Sequence, residues 1–271
     1  MSKNAGHIVS LKALVCGCET FRFSDLFINA AVTAEETLPI NVLLLEHRRY
    51  GHALVNTGCT GQLKKNKVQY LKYKQRHALH FDERDSILVQ LQREGMDPLL
   101  IKRVLLTHCS PECCGALPLL PKYEIVSSAQ VLCLLKAGVA DGDVMRSTLP
   151  DPKVPIKAAG LFQGNTVLKD YFKWVFDIFG DGSVLSFDIS GHRSEMMGLY
   201  FTESRLLYAA DAAIDERVLE QDLVPNEKLL SMQAYPNEYL LSLMTLRRLY
   251  REHPDITIRF LHSKEIPAFT L

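Results

Sequence analysis

The chain is predicted to fold as a mixed α/β domain of the α+β type. Short apolar runs of strand length alternate with amphipathic segments of helical period over most of the sequence. Four strand-like runs follow one another between residues 174 and 210, and no repeat, low-complexity tract or linker interrupts the 271 residues. A single domain over 1–271 with a large core is therefore expected.

The elements follow in order. Residues 8–15 alternate loosely and read as an opening strand. Runs 39–46 and 52–56, joined by Arg48-Arg49-Tyr50-Gly51, have the pattern of a hairpin. Asn56-Thr-Gly-Cys-Thr-Gly61 is a glycine-bearing loop. Residues 63–74 carry Lys64, Lys65, Lys67, Lys72 and Lys74 between Tyr70 and Tyr73, and read as a solvated helix face or a mobile loop. A helix begins at Asp82, with Ile87, Leu88 and Leu91 at helical spacing and Gly95 as its stop. After a short turn at Asp97-Pro98, residues 102–107 form a buried strand. Residues 123–127 are another, and 129–136 a helix ending at Gly138. The stretch 141–164, rich in Asp, Pro and Gly, reads as an irregular excursion and as an insertion shaping a substrate rim. Strands at 174–179, 184–189, 197–202 and 206–210 turn at Asp181-Gly182 and Glu203-Ser204. Helices at 215–221 and 237–253 and a last strand at 256–261 lead to His262.

Bulk properties exclude several partners. Lys+Arg and Asp+Glu both number 31, and no basic run is long enough for a nucleic-acid patch. No segment approaches the ~18 to 20 uninterrupted apolar residues that span a bilayer. The N-terminal residues lack a charged head, apolar core and cleavage site, so the expected compartment is the cytoplasm. Seven cysteines are an odd count for a disulfide framework. Their clustering (Cys16/Cys18, Cys109/Cys113/Cys114) suits reduced thiols or metal ligands. The expected partner is a small molecule, with no nucleic acid and no membrane.

The chemistry concentrates in Val104-Leu-Leu-Thr-His108-Cys-Ser110-Pro-Glu112-Cys113-Cys114-Gly115, where an apolar strand ends in a crowded run of donor side chains. This stretch resembles the H-x-H-x-D-H-x-G motif of the metallo-β-lactamase fold with half its letters changed. Five more blocks fall in that fold's order over about 210 residues. His52-Ala-Leu-Val-Asn56-Thr-Gly-Cys59 is similar to its "iLiDTGc" turn, and Asp97-Pro-Leu-Leu-Ile101 to the lead-in of the motif strand. Ile189-Ser-Gly191-His192-Arg-Ser-Glu-Met-Met-Gly198 is similar to "tPGHTpGh", and Leu207-Tyr-Ala-Ala-Asp211-Ala to "llyaGDa". Phe260-Leu-His262 is similar to the terminal strand and histidine. The turn at Asn56 and the overall length are most similar to the N-acyl-homoserine-lactone lactonase group.

The resemblance implies a four-layer αββα sandwich and a metal centre. Its first-metal slots fall on His108, Ser110 and His192, its second-metal slots on Glu112, Cys113 and His262, and the bridging slot on Asp211. Ser110 is the one poor ligand, so the implied cofactor is one transition metal, zinc or iron, held by Glu112, Cys113, Asp211 and His262, with two ions as the fuller alternative. The implied activity is metal-dependent hydrolysis of a small ester, lactone or related acyl compound, with Glu112 as the acid/base group. The lactonase group's tyrosine after the bridging aspartate is replaced by Ala212, Ala213 and Ile214, which argues against acyl-homoserine lactones. The alternative is a catalytically silent member that binds a metabolite or a protein partner in the old cleft, without metal if the site is vestigial. Thiol chemistry at Cys109, Cys113 and Cys114 ranks last, because the motif has no C-x-x-C pair. The resemblance is compatible with a monomer or a homodimer.

Overall fold

Successive residues of one strand face two different cores. In β2 (Glu35–His47), Leu43 and Leu45 pack into one apolar cluster, and Val42 and Leu44 into another. A strand covered on both faces needs no polar alternation, which is why run 39–46 has none. The computed structural model describes residues 6–137, 144–193 and 196–270.

The strands divide between two sheets. The first holds β1 (Ile8–Arg22), β2, β3 (Gly51–Val55), the short β4 (Leu79–His80), β5 (Ile101–Leu105), β6 (Glu124–Ser127) and β7 (Ile156–Ala158). The second holds β8 (Gly160–Leu161), β9 (Val175–Asp177), β10 (Val184–Asp188), β11 (Met197–Phe201), β12 (Leu206–Tyr208) and β13 (Thr257–Arg259). The chain then returns as β14 (Phe269–Thr270) to pair with β1. Pairing is antiparallel from β1 to β3 and parallel from β3 through β5 and β6 to β7.

Outside the first sheet lie α1 (Gln62–Lys65), α2 (Lys67–Lys74), α3 (Ile87–Arg93), α4 (Pro111–Cys114) and α5 (Ala129–Ala137), whose apolar residues share a core with Val42 and Leu44. Against the second sheet lie α6 (Arg217–Glu220), α7 (Glu227–Ser231) and α8 (Pro236–Glu252), the last burying Tyr239, Leu243, Leu246 and Leu249. The order of layers is αββα, as expected. Among the described residues no helix is long and apolar enough to cross a membrane.

Three local departures from the sequence reading matter for the site. The opening strand runs seven residues past its expected end at 15 to Arg22, and its pairing with β2 shifts register between Val15 and Cys18, around Gly17 at φ +117°. Such a bulge reverses the inside–outside phase. Leu14 and Cys16 are buried before it and Glu19 after it. The lysine-rich stretch is helical, and its Tyr73 is buried against the first sheet. Of the excursion at 141–164, residues 141–143 lie outside the described ones. The rest supplies β7 and β8, edge strands of the two sheets, so the chain crosses between sheets there.

Candidate metal centre

The donor side chains come from loops at strand ends. Asn56, one residue past β3, sits at φ +61°, where asparagine is among the better tolerated residues. Its Oδ1 accepts from both the backbone N–H and the hydroxyl of Thr107, 3.0 Å each. The next residue is His108. Pro111 opens α4, with Ser110 extended at the N-cap, so the altered motif folds into one helical turn carrying Glu112 and Cys113. Met197 N–H donates to Thr107 O at 3.0 Å, tying the motif to the second sheet. His192 follows Gly191, at φ +135°, where a Cβ would fall 2.2 Å from the Tyr239 backbone nitrogen, so glycine is required. On β2, Asn41 donates from Nδ2 to Leu261 O (2.9 Å) and Ser263 O (2.8 Å), bracketing His262.

Three histidines are held in one tautomer. Thr107 Oγ1 has given its proton to Asn56, so at 3.0 Å it accepts from His108 Nδ1. His192 Nδ1 lies 3.0 Å from Gln233 Oε1, whose amide is oriented by its own Nε2 bond to Leu229 O at 2.9 Å. His262 Nδ1 lies 3.0 Å from Pro39 O. Each ring therefore carries its proton on Nδ1 and turns the Nε2 lone pair inward, the form that binds metal. Burial pushes His108 well below the ordinary imidazole value, with His192 and Arg193 adding to it. Desolvation and then Arg193 bring His192 to about 3. His262 is also lowered by burial, against the pull of Glu19.

Carboxylates meet these lone pairs. Asp211 Oδ2 lies 3.4 Å from His108 Nε2 and has no hydrogen-bond partner among the described residues, and Oδ1 lies 3.6 Å from His262 Nε2. Burial, then Glu112 and Glu19, push the Asp211 carboxyl well above the ordinary carboxylate range. Lone pairs and carboxylates that converge in this way are a donor set suited to a cation. One ligand atom from each of His108, Glu112, His192 and Asp211 lies within 4.8 Å of all the others. These residues can hold a transition metal ion.

This grouping differs from the division the resemblance implied. It joins His108 and His192, the surviving first-metal residues, to Glu112 and Asp211. His262 stands at the far oxygen of Asp211, outside the tight group. Cys113 Sγ is 4.0 and 3.9 Å from the two ring nitrogens of His108, nearly equidistant, and stands outside the tight group. Burial holds the Cys113 thiol well up, and a hydrogen bond from the Cys114 thiol to Cys109, then burial, do the same for Cys114, which disfavours thiolate chemistry. Ser110 donates to His108 Nε2 at 2.8 Å.

Four residues at this site escaped the sequence reading. Tyr73 donates its hydroxyl to Glu112 Oε2 and stacks on His77, ring centroids 4.2 Å apart. His77 Nδ1 meets Glu19 Oε1 at 3.1 Å. Gln233 orients His192. The one signal for Glu19 was an acidic residue embedded in a strand-like run, Cys16-Gly-Cys-Glu-Thr-Phe21. Around them a cavity of about 50 Å³ is walled by Phe21, Leu26, Ile214, Leu229 and Met232.

No family profile and no curated protein sequence matches the chain. Solved structures do. One is an N-acyl homoserine lactone hydrolase with the product N-hexanoyl-L-homoserine bound at its catalytic metal centre, 17% identical over 95% of this chain and 94% of that one, TM-score 0.69. A probable metal-dependent hydrolase from Staphylococcus aureus is 14% identical over 97% and 92%, TM-score 0.68. A dizinc quorum-quenching lactonase is 12% identical over 95% and 88%, TM-score 0.62. The fold is the metallo-β-lactamase fold.

Proposed function

We propose that the chain is a metal-dependent hydrolase of a small ester, lactone or related acyl compound, with His108, Glu112, His192 and Asp211 as metal ligands. The observation that carries this reading is the shared tautomer: the Nε2 lone pairs of His108 and His192 point into a group already holding two carboxylates. A bound transition metal polarises an acyl carbonyl and lowers the pKa of water toward neutrality.

The chain's own residues do the rest. Tyr73 holds Glu112 by its hydroxyl, so the carboxylate has one oxygen engaged and one facing the site. Glu112, buried at the site, is placed to take a proton from the attacking water and return it to the leaving oxygen, a role glutamate commonly fills. The small cavity admits water and a reacting group, and its apolar wall suits the aliphatic part of an acyl compound. Ser110 supports a second reading, a catalytically silent member binding a metabolite or protein partner, because its hydroxyl occupies the His108 lone pair.

Metal analysis separates the two. Protein stripped by chelator and offered zinc or iron is expected to regain at least one ion per chain and to hydrolyse activated esters or lactones. Glu112→Gln is expected to keep the ion and lose turnover. Failure to take up metal, with a metabolite still raising the melting temperature, would establish the silent reading.

A further inference from the structure

The helix α2 turns apolar side chains outward. Its Tyr73 is buried against the first sheet, which fixes the rotation of the helix about its axis. At about 100° per residue, Val68 and Leu71 lie about 140° and 160° around the axis from Tyr73. They are 65% and 51% exposed. Lys67 and Lys74 border this pair on one side and Lys72 on the other, all three exposed. A single surface valine or leucine needs no explanation. A pair on the outermost line of a helix, bracketed by lysines, is the reverse of an ordinary solvated face.

The charge here is of one sign. Between Gln62 and Arg76 stand Lys64, Lys65, Lys67, Lys72 and Lys74, and no acidic residue. None of the five lysines forms an ion pair among the described residues. Lys64 lies over the Phe81 ring at 4.6 Å and Lys74 over Tyr70 at 6.0 Å, which keeps both at the flank of the helix. The acidic stretch that follows is engaged elsewhere. Glu83 lies against Gly61 at the start of α1, Asp82 pairs with Arg84, and Asp85 accepts from the Asp82 N–H. The zero net charge of the whole chain thus conceals a local cationic face.

The size of the face selects its partner. Eight residues of helix span about 12 Å, too little for a specific protein interface, which buries about 800 Å² on each side. A lipid surface demands no shape complementarity. It takes apolar side chains at the acyl boundary while lysines reach the headgroups.

We infer that α2 is an interfacial helix that seats the chain reversibly on an anionic lipid bilayer, with Val68 and Leu71 entering the headgroup region and the five lysines meeting lipid phosphates. The sequence argued against a membrane partner because it holds no spanning segment, and lying on the surface needs none. Tyr73, on the inner face, holds Glu112, so the lipid lies about one helix diameter, 10–12 Å, from that carboxylate. The seating does not rest on the proposed hydrolysis, and its test reads binding without turnover.

Vesicle sedimentation supplies that test. The intact chain is mixed at low salt with phosphatidylcholine vesicles, with or without about one third phosphatidylglycerol. Wild type is expected to sediment with the anionic vesicles only, and to be released as salt is raised. Lys67→Gln combined with Lys72→Gln is expected to weaken binding about 25-fold, about 5-fold for each charge. Val68→Ser combined with Leu71→Ser is expected to weaken it about 10-fold at unchanged charge. Leu71→Trp should show blue-shifted emission on the anionic vesicles, and this result decides if a double variant does not fold. No sedimentation of wild type, undiminished binding by either double variant, or an unshifted Leu71→Trp emission would overturn the inference. Where only the lysine variant loses binding, the face is a plain electrostatic one for an acidic protein, and the lipid seat falls.

Discussion

At the strand ends, His108 and His192 gather with Glu112 and Asp211; farther along β2, His47 meets His7 and Asp181. In both groups one ligand atom per residue lies within 4.8 Å of the others. Proton placement separates them. His47 Nδ1 accepts from the backbone N–H groups of Arg49 (3.1 Å) and Tyr50 (3.3 Å), so its proton is on Nε2, facing Asp181 Oδ2 at 3.0 Å and Ser183 Oγ at 3.2 Å. The Nε2 that would have to bind a metal is already a donor. Asp181 is satisfied as well, Oδ1 accepting from the Ser183 N–H and hydroxyl, and Tyr50 and Phe179 pack against the His47 ring. At the strand ends every Nδ1 is the donor and every Nε2 is turned inward. Proximity alone therefore does not distinguish a metal seat from a closed hydrogen-bond network; the direction of the protons does.

The contrast can be broken most decisively at Asp211. Asp211→Asn is expected to lower metal affinity by more than the 10- to 100-fold typical of losing a ligand's hydrogen-bond partner. It should also abolish the thermal gain from metal, which for wild type at 100 times Kd corresponds to about 2.7 kcal/mol. Isothermal titration and melting curves with and without zinc measure both. Next in size, Glu112→Gln is expected to cut turnover by about 10²- to 10⁴-fold with the fold intact; retained activity in a metal-loaded sample would remove Glu112 from the proton path.

The other group should respond in stability alone. His47→Leu leaves the part-buried N–H groups of Arg49 and Tyr50 without their acceptor and Asp181 without the Nε2–H, and is expected to cost about 1 kcal/mol. Metal content should not change, and a drop in bound ion would make His47 part of a metal seat. Ala210, at φ +47°, is a strained non-glycine residue one position before Asp211, in the slot where the resembling pattern has glycine. Ala210→Gly is expected to stabilise by up to about 1 kcal/mol in denaturant titration.

The smallest effect is a pH dependence. Burial lowers His47 below the ordinary imidazole value, against the pull of Asp181, so the unfolded chain binds a proton that the folded chain does not. The stability that follows is fully present above about pH 6.5 and is lost as pH falls toward the folded value. Between pH 7.5 and 5.5 wild type is expected to lose about 1–2 °C more in melting temperature than His47→Leu. Equal losses would show that His47 does not titrate on unfolding.

How much of the site could be read depended on where each residue sits in the chain. His108, Glu112, Cys113, His192, Asp211 and His262 follow apolar runs that end in glycine or polar turns, and those runs were legible as strands. Their loops then cluster because the strands they follow align side by side. Tyr73 was hidden by composition, a tyrosine among lysines that reads as solvated until α2 is seen packed on the first sheet. Gln233 was hidden by distance, its amide reaching His192 across 41 residues.

By itself the sequence determined the αββα order of elements and the strand ends at which donor side chains collect, because apolar periodicity and turn residues are local properties. Tertiary structure alone decided which donors meet. A bulge at one glycine reversed the phase of β1 and brought Glu19 inside, and backbone carbonyls and amides far along the chain set which nitrogen of each histidine is left to bind. Those choices depend on contacts between residues up to 223 positions apart, as between His262 and Pro39, and no local pattern records them.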